Sequence, residues 1–517
     1  MGKEQQATLL KPVEEIKVEQ SFSEKLKERR SKEVVIAFCG PVGSKISDIV
    51  DKVDDILKSR YKYDVVRIKI SNLIKKHAKK VDPTFEEKEL SDPANRYLKL
   101  QSLGNELRKK YGNEILGQLA IEYISIDRQK RKESEKHKRG QESEDKHTYR
   151  VAYLIDSLKH PDEVSIQRAV YRNMFFLFGI FCAVEVRRQN LKDENIKGTD
   201  AEQIMINDKK QAEEFGQKLI ETLKYADIFI NNTHSSEITR VERFVKLILG
   251  DKSINPTVDE YAMYIAQSAA LRSSCLSRQI GAAILSEKGE IISTGYNDVP
   301  QKGGGLCKSD DGIDDNRCVK KWNHCYSDNY KDKIKKDIND IIASALGDKD
   351  KSSKITEEII SETRIKDLIE FSRAVHAEME AILSSCRSGM SPKGGTLYCT
   401  TFPCHTCARH IISVGIKKLF FIEPYEKSLA MEMYRDEIEL EPTNPHGEHK
   451  KVVFSHFEEV APRQYINFYE ADVRKVDGKG ITTKPEEALP TTPEYLDAWS
   501  EFEDRVVKYL KEESGFY

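Results

Sequence analysis

Residues 376–378 read His-Ala-Glu, and residues 403–407 read Pro-Cys-His-Thr-Cys. A catalytic zinc ion takes three protein ligands and leaves a fourth position open, and one imidazole with two thiolates supplies such a set. His376, Cys404 and Cys407 are therefore the predicted ligands of a Zn²⁺ ion. The cysteines follow the strand-like run 395–400, so we expect them in the first turn of a helix, where the dipole favours thiolates.

Glu378 follows the histidine by two residues and is not needed as a ligand. A carboxylate beside an activated water has the chemistry of a general acid and base, and this is the catalytic role that we predict for Glu378. An isolated Cys-x-x-Cys could instead belong to a structural zinc site or to a redox pair. Neither alternative accounts for the His-Ala-Glu triplet and the helical sequence after it.

The composition describes a highly charged globular chain, with 38% hydrophobic and 33% charged residues. Its 517 residues predict about two to four domains. The longest apolar stretch, 174–184, is too short for a membrane helix, and the N-terminus has no apolar signal core, so we expect a cytoplasmic protein without membrane contact. Ten cysteines in so long a chain fit a reducing compartment, and a net charge of -2 argues against a broad nucleic-acid surface.

The N-terminal half predicts a loop that binds phosphate. An apolar strand, 34–38, leads into a glycine loop and then into an amphipathic helix, and a second strand, 151–155, ends in an acidic residue. The loop departs from the pattern G-x-x-x-x-G-K-[ST], because Ser44 stands where the glycine before Lys45 is expected. The predicted contacts to a nucleoside triphosphate are Gly40, Gly43, Ser44, Lys45, Ser47 and Asp156.

This half resembles small nucleotide and nucleoside kinases, whose fold is a parallel α/β sheet of the P-loop type. The resemblance implies that Arg96 and Arg108 reach the phosphates from helical inserts. An active kinase, a domain that binds nucleotide without transferring phosphate, and a domain that keeps only the architecture all remain open. The charged stretch 128–150 is predicted to be a solvated lid or loop.

A second domain is predicted to begin with the capping-box sequence Thr257-Val-Asp-Glu260. Four motifs follow in an order that resembles deoxycytidylate deaminases, over about residues 258–425. They are Arg278-Gln-Ile-Gly281, Thr294-Gly-Tyr-Asn297, His376-Ala-Glu378 and the run from Cys399 to Ala408. The nucleobase deaminases share the pattern H-x-E…P-C-x-x-C.

The resemblance implies an α/β/α sandwich and a free deoxycytidine nucleotide, dCTP or dCMP, as substrate. It implies that Asn297 bonds the deoxyribose hydroxyl and that Arg278 lies near the phosphates. Tyr425 and Lys427, just past the end of a strand, are candidates for the substrate or effector pocket. Alternatively, Asn297 serves only the turn after a strand and Arg278 is a surface charge.

The insert 300–373 carries further thiols, and some family members hold a second, structural zinc in this region. The candidate ligands are Cys275, Cys307, Cys318, His324 and Cys325. Free reduced thiols are the equal alternative, because the spacing is irregular. The stretch 331–369 is predicted to be a charged helix at a surface or oligomer contact.

These features predict four segments: a polar arm (1–30), a degenerate P-loop domain (31–252), a zinc-dependent deaminase domain (253–460), which contains the insert, and a C-terminal extension (461–517). The order resembles two-domain bacterial deaminases that defend against phage by removing dCTP. That resemblance implies depletion of a DNA precursor during infection and, since deaminases of this type commonly form hexamers, a homo-oligomer. The alternatives are a polynucleotide or tRNA deaminase and a regulatory nucleotide sensor, whose first domain binds an inhibitory RNA or protein that holds the deaminase off.

Overall fold

The computed structural model describes residues 30–139, 149–209, 218–233, 238–425, 427–442, 446–471, 475–476, 479–480, 484–495 and 497–517. All but the last residue of the predicted arm 1–30 lies outside these ranges, and so do residues 140–148 of the predicted lid. No helix in the described ranges is long and apolar enough to cross a membrane.

The N-terminal half is built on a parallel sheet. Its strands run in the order β2-β3-β1-β4-β5, so that β1 lies at the centre between β3 and β4. All six residues of β1 are buried, as expected for a strand covered by helices on both faces. The strands are β1 (Val34–Cys39), β2 (Asp64–Lys69), β3 (Val151–Asp156), β4 (Phe175–Phe181) and β5 (Ile228–Asn231).

Helices cover this sheet. The loop after β1 leads into an amphipathic helix, α1, whose apolar residues pack on the sheet. The helices are α1 (Ile46–Ser59), α2 (Ile70–His77), α3 (Pro93–Tyr111), α4 (Ile115–Arg139), α5 (Pro161–Tyr171), α6 (Val184–Asp193), α7 (Gly198–Lys209), α8 (Leu219–Leu223) and α9 (Ile238–Ile248).

A second, mixed sheet forms the C-terminal half, in the order β10-β11-β9-β8-β6-β7. Strand β6 is antiparallel to β7 and β8, whereas the remaining neighbours are parallel. The strands are β6 (Gly281–Leu285), β7 (Ile291–Tyr296), β8 (Thr396–Thr401), β9 (Lys418–Glu423), β10 (Ile438–Leu440) and β11 (Val452–His456). The predicted α/β class is confirmed, with two mixed sheets.

The first helix of this half begins with the predicted capping box, in which Thr257 accepts from the backbone N–H of Glu260 at 3.1 Å. The helices are α10 (Val258–Ala270), α11 (Cys318–Lys321), α12 (Tyr326–Leu346), α13 (Lys349–Glu362), α14 (Ala377–Arg387), α15 (His405–Val414), α16 (Ala430–Met433), α17 (Tyr465–Tyr469) and α18 (Asp497–Lys508).

Segments that follow the second sheet in sequence pack against the first sheet. A short strand, β12 (Glu459–Val460), joins the first sheet antiparallel to β5, although it follows the second sheet in sequence. Helix α18 packs on α4, where the buried Trp499 lies in the core of the first half. Part of the C-terminal extension 461–517 therefore packs against the N-terminal sheet. Two further strands, β13 (Lys475–Val476) and β14 (Lys479–Gly480), pair with each other.

One prediction from a charge run was wrong, and another gave the helical type correctly but not the break within it. The start of the predicted lid, 128–139, continues helix α4, and Arg128 is buried in an ion pair with Glu33 at 2.6 Å. A buried arginine needs such a partner, which the local sequence does not reveal. The predicted helix 331–369 is divided into α12 and α13, because Gly347 adopts a left-handed conformation and ends α12.

Candidate active site

The imidazole and the two thiols lie at the N-terminal ends of two neighbouring helices. His376 is the N-cap of α14 and Cys404 is the N-cap of α15, where its sulfur accepts from the backbone N–H of Cys407. Cys404 thus precedes the helix instead of lying within its first turn. Helix α14 approaches strand β7 closely at Gly295, where a Cβ atom would lie 2.2 Å from the carbonyl oxygen of Ala377.

The three predicted ligands come together in space. The Nδ1 atom of His376 lies 3.3 Å from the Sγ atom of Cys404 and 3.3 Å from the Sγ atom of Cys407. Within the described ranges, no other group of three or more His, Cys, Asp or Glu side chains is close enough to hold a metal ion. One imidazole and two sulfurs fit a tetrahedral zinc site with one position left for another ligand.

The proton equilibria of the cluster favour a thiolate. Hydrogen bonds from Cys407 and His376 lower the pKa of Cys404 to about 4, despite burial. The hydrogen bond to Cys404 and burial raise the pKa of Cys407 well above its usual range, and the bond to Cys404 raises the pKa of His376 to about 9. A divalent cation that bound here would displace the remaining protons from His376 and Cys407.

Glu378 is the second residue of α14 and is 4% exposed. Burial raises the pKa of its carboxyl group to about 7, although the charge of His376 opposes this shift. A carboxyl group with a pKa near neutrality can both accept and donate a proton, as a general acid and base must.

His376, Glu378 and Cys404 line a cavity of about 280 Å³. The predicted substrate contacts Arg278, Asn297 and Tyr425 line the same cavity. Lys427, predicted together with Tyr425 as a pocket candidate, lines it too, and so does Lys331, which was not among the residues predicted from sequence. No motif marks Lys331, because its position depends on where the insert is folded.

Asn297 has both ends of its amide bonded to one backbone segment. Its Oδ1 accepts from the N–H of Ile280 at 2.7 Å, and its Nδ2 donates to the carbonyl oxygen of Arg278 at 2.8 Å. Asn297 thus holds the segment that carries the Arg278 side chain. The guanidinium of Arg278 lies 5.4 Å from the centre of the Tyr425 ring, at the distance of a cation–π contact.

The five candidates for a second zinc site are not gathered into a ligand set by this structure. Cys275, Cys318 and Cys325 line one small cavity, and Cys275 and Cys325 line the active-site cavity as well. The sulfur of Cys318 accepts from Arg373 at 3.6 Å. Cys307 donates to the carbonyl oxygen of Pro300 at 3.8 Å, and His324 is exposed.

The predicted phosphate loop lies at the carboxyl ends of β1 and β3, beside a cavity of about 300 Å³. The residues Gly43, Ser44, Lys45, Ser47 and Asp156 line this cavity, and Gly40 precedes them in the loop. Burial raises the pKa of Asp156. Arg96 and Arg108 line the cavity as well, but the guanidinium of Arg108 is buried against Glu163 at 2.7 Å.

A carboxylate already binds one backbone N–H group of this loop. Asp208, fully buried on α7, accepts from the backbone N–H of Val42 at 2.6 Å. Lys159 bridges the Asp208 carboxylate and the carbonyl oxygen of Gly40, at 2.7 Å and 2.6 Å. A phosphate group that used this N–H would have to displace Asp208. The loop sequence alone gives no sign of this contact, because Asp208 follows it by more than 160 residues.

Comparisons with known proteins agree with this site. Residues 256–423 match the family model described as "Cytidine and deoxycytidylate deaminase zinc-binding region". The deoxycytidylate deaminase of Enterobacteria phage T4 is 32% identical over 166 residues, which are 32% of this chain and 78% of that protein. The deoxycytidylate deaminase of Homo sapiens is 26% identical over 163 residues, which are 32% of this chain and 63% of that protein.

A solved structure is also similar. The dCMP deaminase from the cyanophage S-TIM5, in apo form, is 16% identical and covers 40% of this chain and 100% of its own, with a TM-score of 0.22.

Proposed function

The chain belongs to the deoxycytidylate deaminase family, and we propose that it hydrolyses the exocyclic amine of a free deoxycytidine nucleotide, dCMP or dCTP, to the uracil nucleotide and ammonia. The observation that carries the proposal is the buried Glu378 beside the His376–Cys404–Cys407 cluster, in one cavity.

His376, Cys404 and Cys407 would hold a Zn²⁺ ion, because they supply one nitrogen and two sulfurs with a thiolate among them. When bound, this ion would supply Lewis-acid activation of the attacking water. Glu378 would accept the proton of the water that attacks C4 of the cytosine ring. It would donate this proton to the ring nitrogen N3, and would then pass a second proton, from the hydroxyl group added at C4, to the departing amino group. Its raised pKa suits both transfers near neutral pH.

The other cavity residues would bind the nucleotide. Asn297 holds the segment 278–280 and keeps one N–H and one lone pair for the deoxyribose hydroxyl. Arg278, which is exposed beside the cavity, would contact the phosphate, and the Tyr425 ring would support its guanidinium.

We also propose that the N-terminal domain binds a nucleotide and controls the deaminase. Support comes from the order strand, loop and helix at the carboxyl end of a parallel sheet, and from the cavity beside the loop. The resemblance to two-domain bacterial deaminases further suggests depletion of dCTP during phage infection, control by an inhibitory RNA or protein, and a hexameric assembly. Direct phosphoryl transfer is disfavoured by the altered loop and by the Asp208 contact.

The direct test offers purified protein dCMP, dCTP, CMP, CTP and a cytosine-containing single strand, and measures ammonia release. We expect release from the deoxynucleotides, and none from the Glu378→Ala variant. Release only from the strand would instead support a polynucleotide deaminase, the alternative that shares the same chemistry.

The control function needs a separate test. The rate on the deoxynucleotide is measured with and without added ATP or GTP, for the wild type and for Lys45→Ala and Asp156→Asn. We expect the added nucleotide to change the rate of the wild type alone. Equal rates in all samples, on folded protein, would contradict a sensing role.

A further inference from the structure

The inserted segment supplies one wall of the active-site cavity. Ser327, Asp328 and Lys331 line it from the first turns of α12, and residues 367–369 line it from the stretch after α13. The ring of Tyr330 stacks on Phe371 with centroids 4.2 Å apart. This contact fixes α12 to the segment that leads into His376, so the wall has a defined position relative to the proposed zinc site.

Three lysine or arginine side chains line the cavity, and they differ in whether a carboxylate neutralises their charge. Lys427 is paired with Asp367 at 2.8 Å, which neutralises its charge. Arg278 rests on the Tyr425 ring. The Nζ of Lys331 donates to the carbonyl oxygen of Lys366 at 3.0 Å, and among the described residues no carboxylate oxygen lies within 4.0 Å of it. Lys331 therefore keeps its net charge, and a carbonyl acceptor can be exchanged for a stronger, anionic one.

The N-terminal end of α12 also faces the cavity, although Asp328 in its first turn lines the same cavity and its negative charge opposes the helix dipole. The helix has 21 residues, and its N-cap, Cys325, makes no side-chain capping bond. Cys325 and Ser327 both line the cavity, so the N-terminal end of the helix faces the same space as Lys331. Free N–H groups and the dipole at a helix N-terminus attract anions.

We propose that Lys331 binds a phosphate group of the substrate, and that the inserted helix α12 thereby makes the enzyme select nucleotides over the nucleoside. The inference rests on the proposed deamination, whose cavity it shares. Arg278 and Lys331 would hold the phosphate chain between them, from the β6 side and from the insert. The zinc ligands and Glu378 would act on the base in the same way for a nucleotide or a nucleoside, so Lys331 contributes to binding and not to the chemical step.

The test measures kcat and KM for dCTP, dCMP and deoxycytidine with the wild type, Lys331→Ala and Lys331→Arg. Loss of a charged hydrogen bond should lower kcat/KM for at least one nucleotide about tenfold, mainly through KM. The value for deoxycytidine should stay within about twofold, and Lys331→Arg should recover part of the loss. The matched control is Lys335→Ala, one turn further along α12, where the side chain pairs with Glu357 and does not line the cavity.

The outcomes separate the two proposals. Wild-type protein that releases no ammonia from any deoxycytidine nucleotide overturns the proposed function. An active wild type with unchanged kcat/KM for both nucleotides in Lys331→Ala overturns this inference alone. An equal loss of kcat/KM for deoxycytidine and for the nucleotides also overturns it, because the substitution would then have damaged the whole site and not only phosphate binding.

Discussion

The Nδ1 atom of His376 lies 3.3 Å from the Sγ atom of Cys404, and these two residues cap different helices, α14 and α15. Helix α14 packs on strand β7 and against helix α15, so the packing of these elements brings the imidazole and the thiol together.

Removal of one thiol should remove the metal. We expect Cys404→Ser to lose most of its bound zinc and its deaminase activity, because serine is a poor ligand for this ion. The measurement is the zinc content per chain after gel filtration, together with ammonia release. Cys386→Ser is the control, since Cys386 is an exposed free thiol on α14. Full zinc content in Cys404→Ser would place the metal elsewhere.

Loss of the general acid and base should separate zinc binding from turnover. We expect Glu378→Gln to keep its zinc and to lower kcat by about 10²- to 10⁴-fold. Glu380→Gln is the matched control, because its carboxylate pairs with Arg387 and does not line the cavity. A Glu378→Gln enzyme with wild-type kcat would exclude the proton-transfer role.

Asn297→Ala should weaken both stability and substrate binding. Two buried hydrogen bonds to the backbone of residues 278 and 280 are lost, which we expect to cost about 2 kcal/mol in the free energy of unfolding. Since the segment that carries Arg278 loses its support, KM for the nucleotide should rise. Chemical denaturation and steady-state kinetics measure the two effects, and an unchanged KM would show that the segment holds its position without Asn297.

Acid should destabilise the protein through His77. Burial, followed by the charges of Lys76 and Lys80, lowers the pKa of His77 to about 4, whereas the unfolded chain has a pKa near 6.5. Between pH 4 and pH 6.5, His77 is protonated in the unfolded chain but neutral in the folded protein. The stability that His77 contributes is therefore present above pH 6.5 and is lost as the pH falls towards 4.

The matched variant is His77→Phe, which keeps an aromatic ring against Phe516. In the wild type the ring centroids of His77 and Phe516 lie 4.9 Å apart. We expect the wild type to lose about 2 kcal/mol more than this variant between pH 7 and pH 5. Urea denaturation at the two pH values measures the difference. An identical loss in both proteins would mean that His77 does not titrate in this range.

The contact between the two halves should be sensitive to Arg243. Its guanidinium lies 2.7 Å from the fully buried carboxylate of Glu260, which also accepts from the Tyr469 hydroxyl at 2.6 Å. Arg243→Met leaves this carboxylate without its cation and should cost about 3 to 5 kcal/mol. Tyr469→Phe removes two hydrogen bonds, one donated to Glu260 and one accepted from Arg243, and should cost about 1 to 2 kcal/mol. If chemical denaturation showed the same small decrease in the free energy of unfolding for both variants, the network would add little to stability.

The sequence alone determined the helices and strands around the candidate site, because the residues that start or form each of them lie close together in the chain. The capping box at Thr257 starts α10, and the ligand and acid residues lie within a few positions of helix starts. Buried strands such as β1 and β3 were predicted to within one residue at their ends, because short apolar runs between polar turns are typical of central parallel strands.

The tertiary structure alone decided which distant residues meet. Lys331 enters the cavity, Asp208 binds the loop after β1, and β12 pairs with the first sheet, and each contact joins segments far apart in the chain. A local pattern carries the period of a helix or strand and the chemistry of a motif. It does not carry the packing of one element on another, which is set by burial of apolar surface and by the pairing of buried charges over the whole chain.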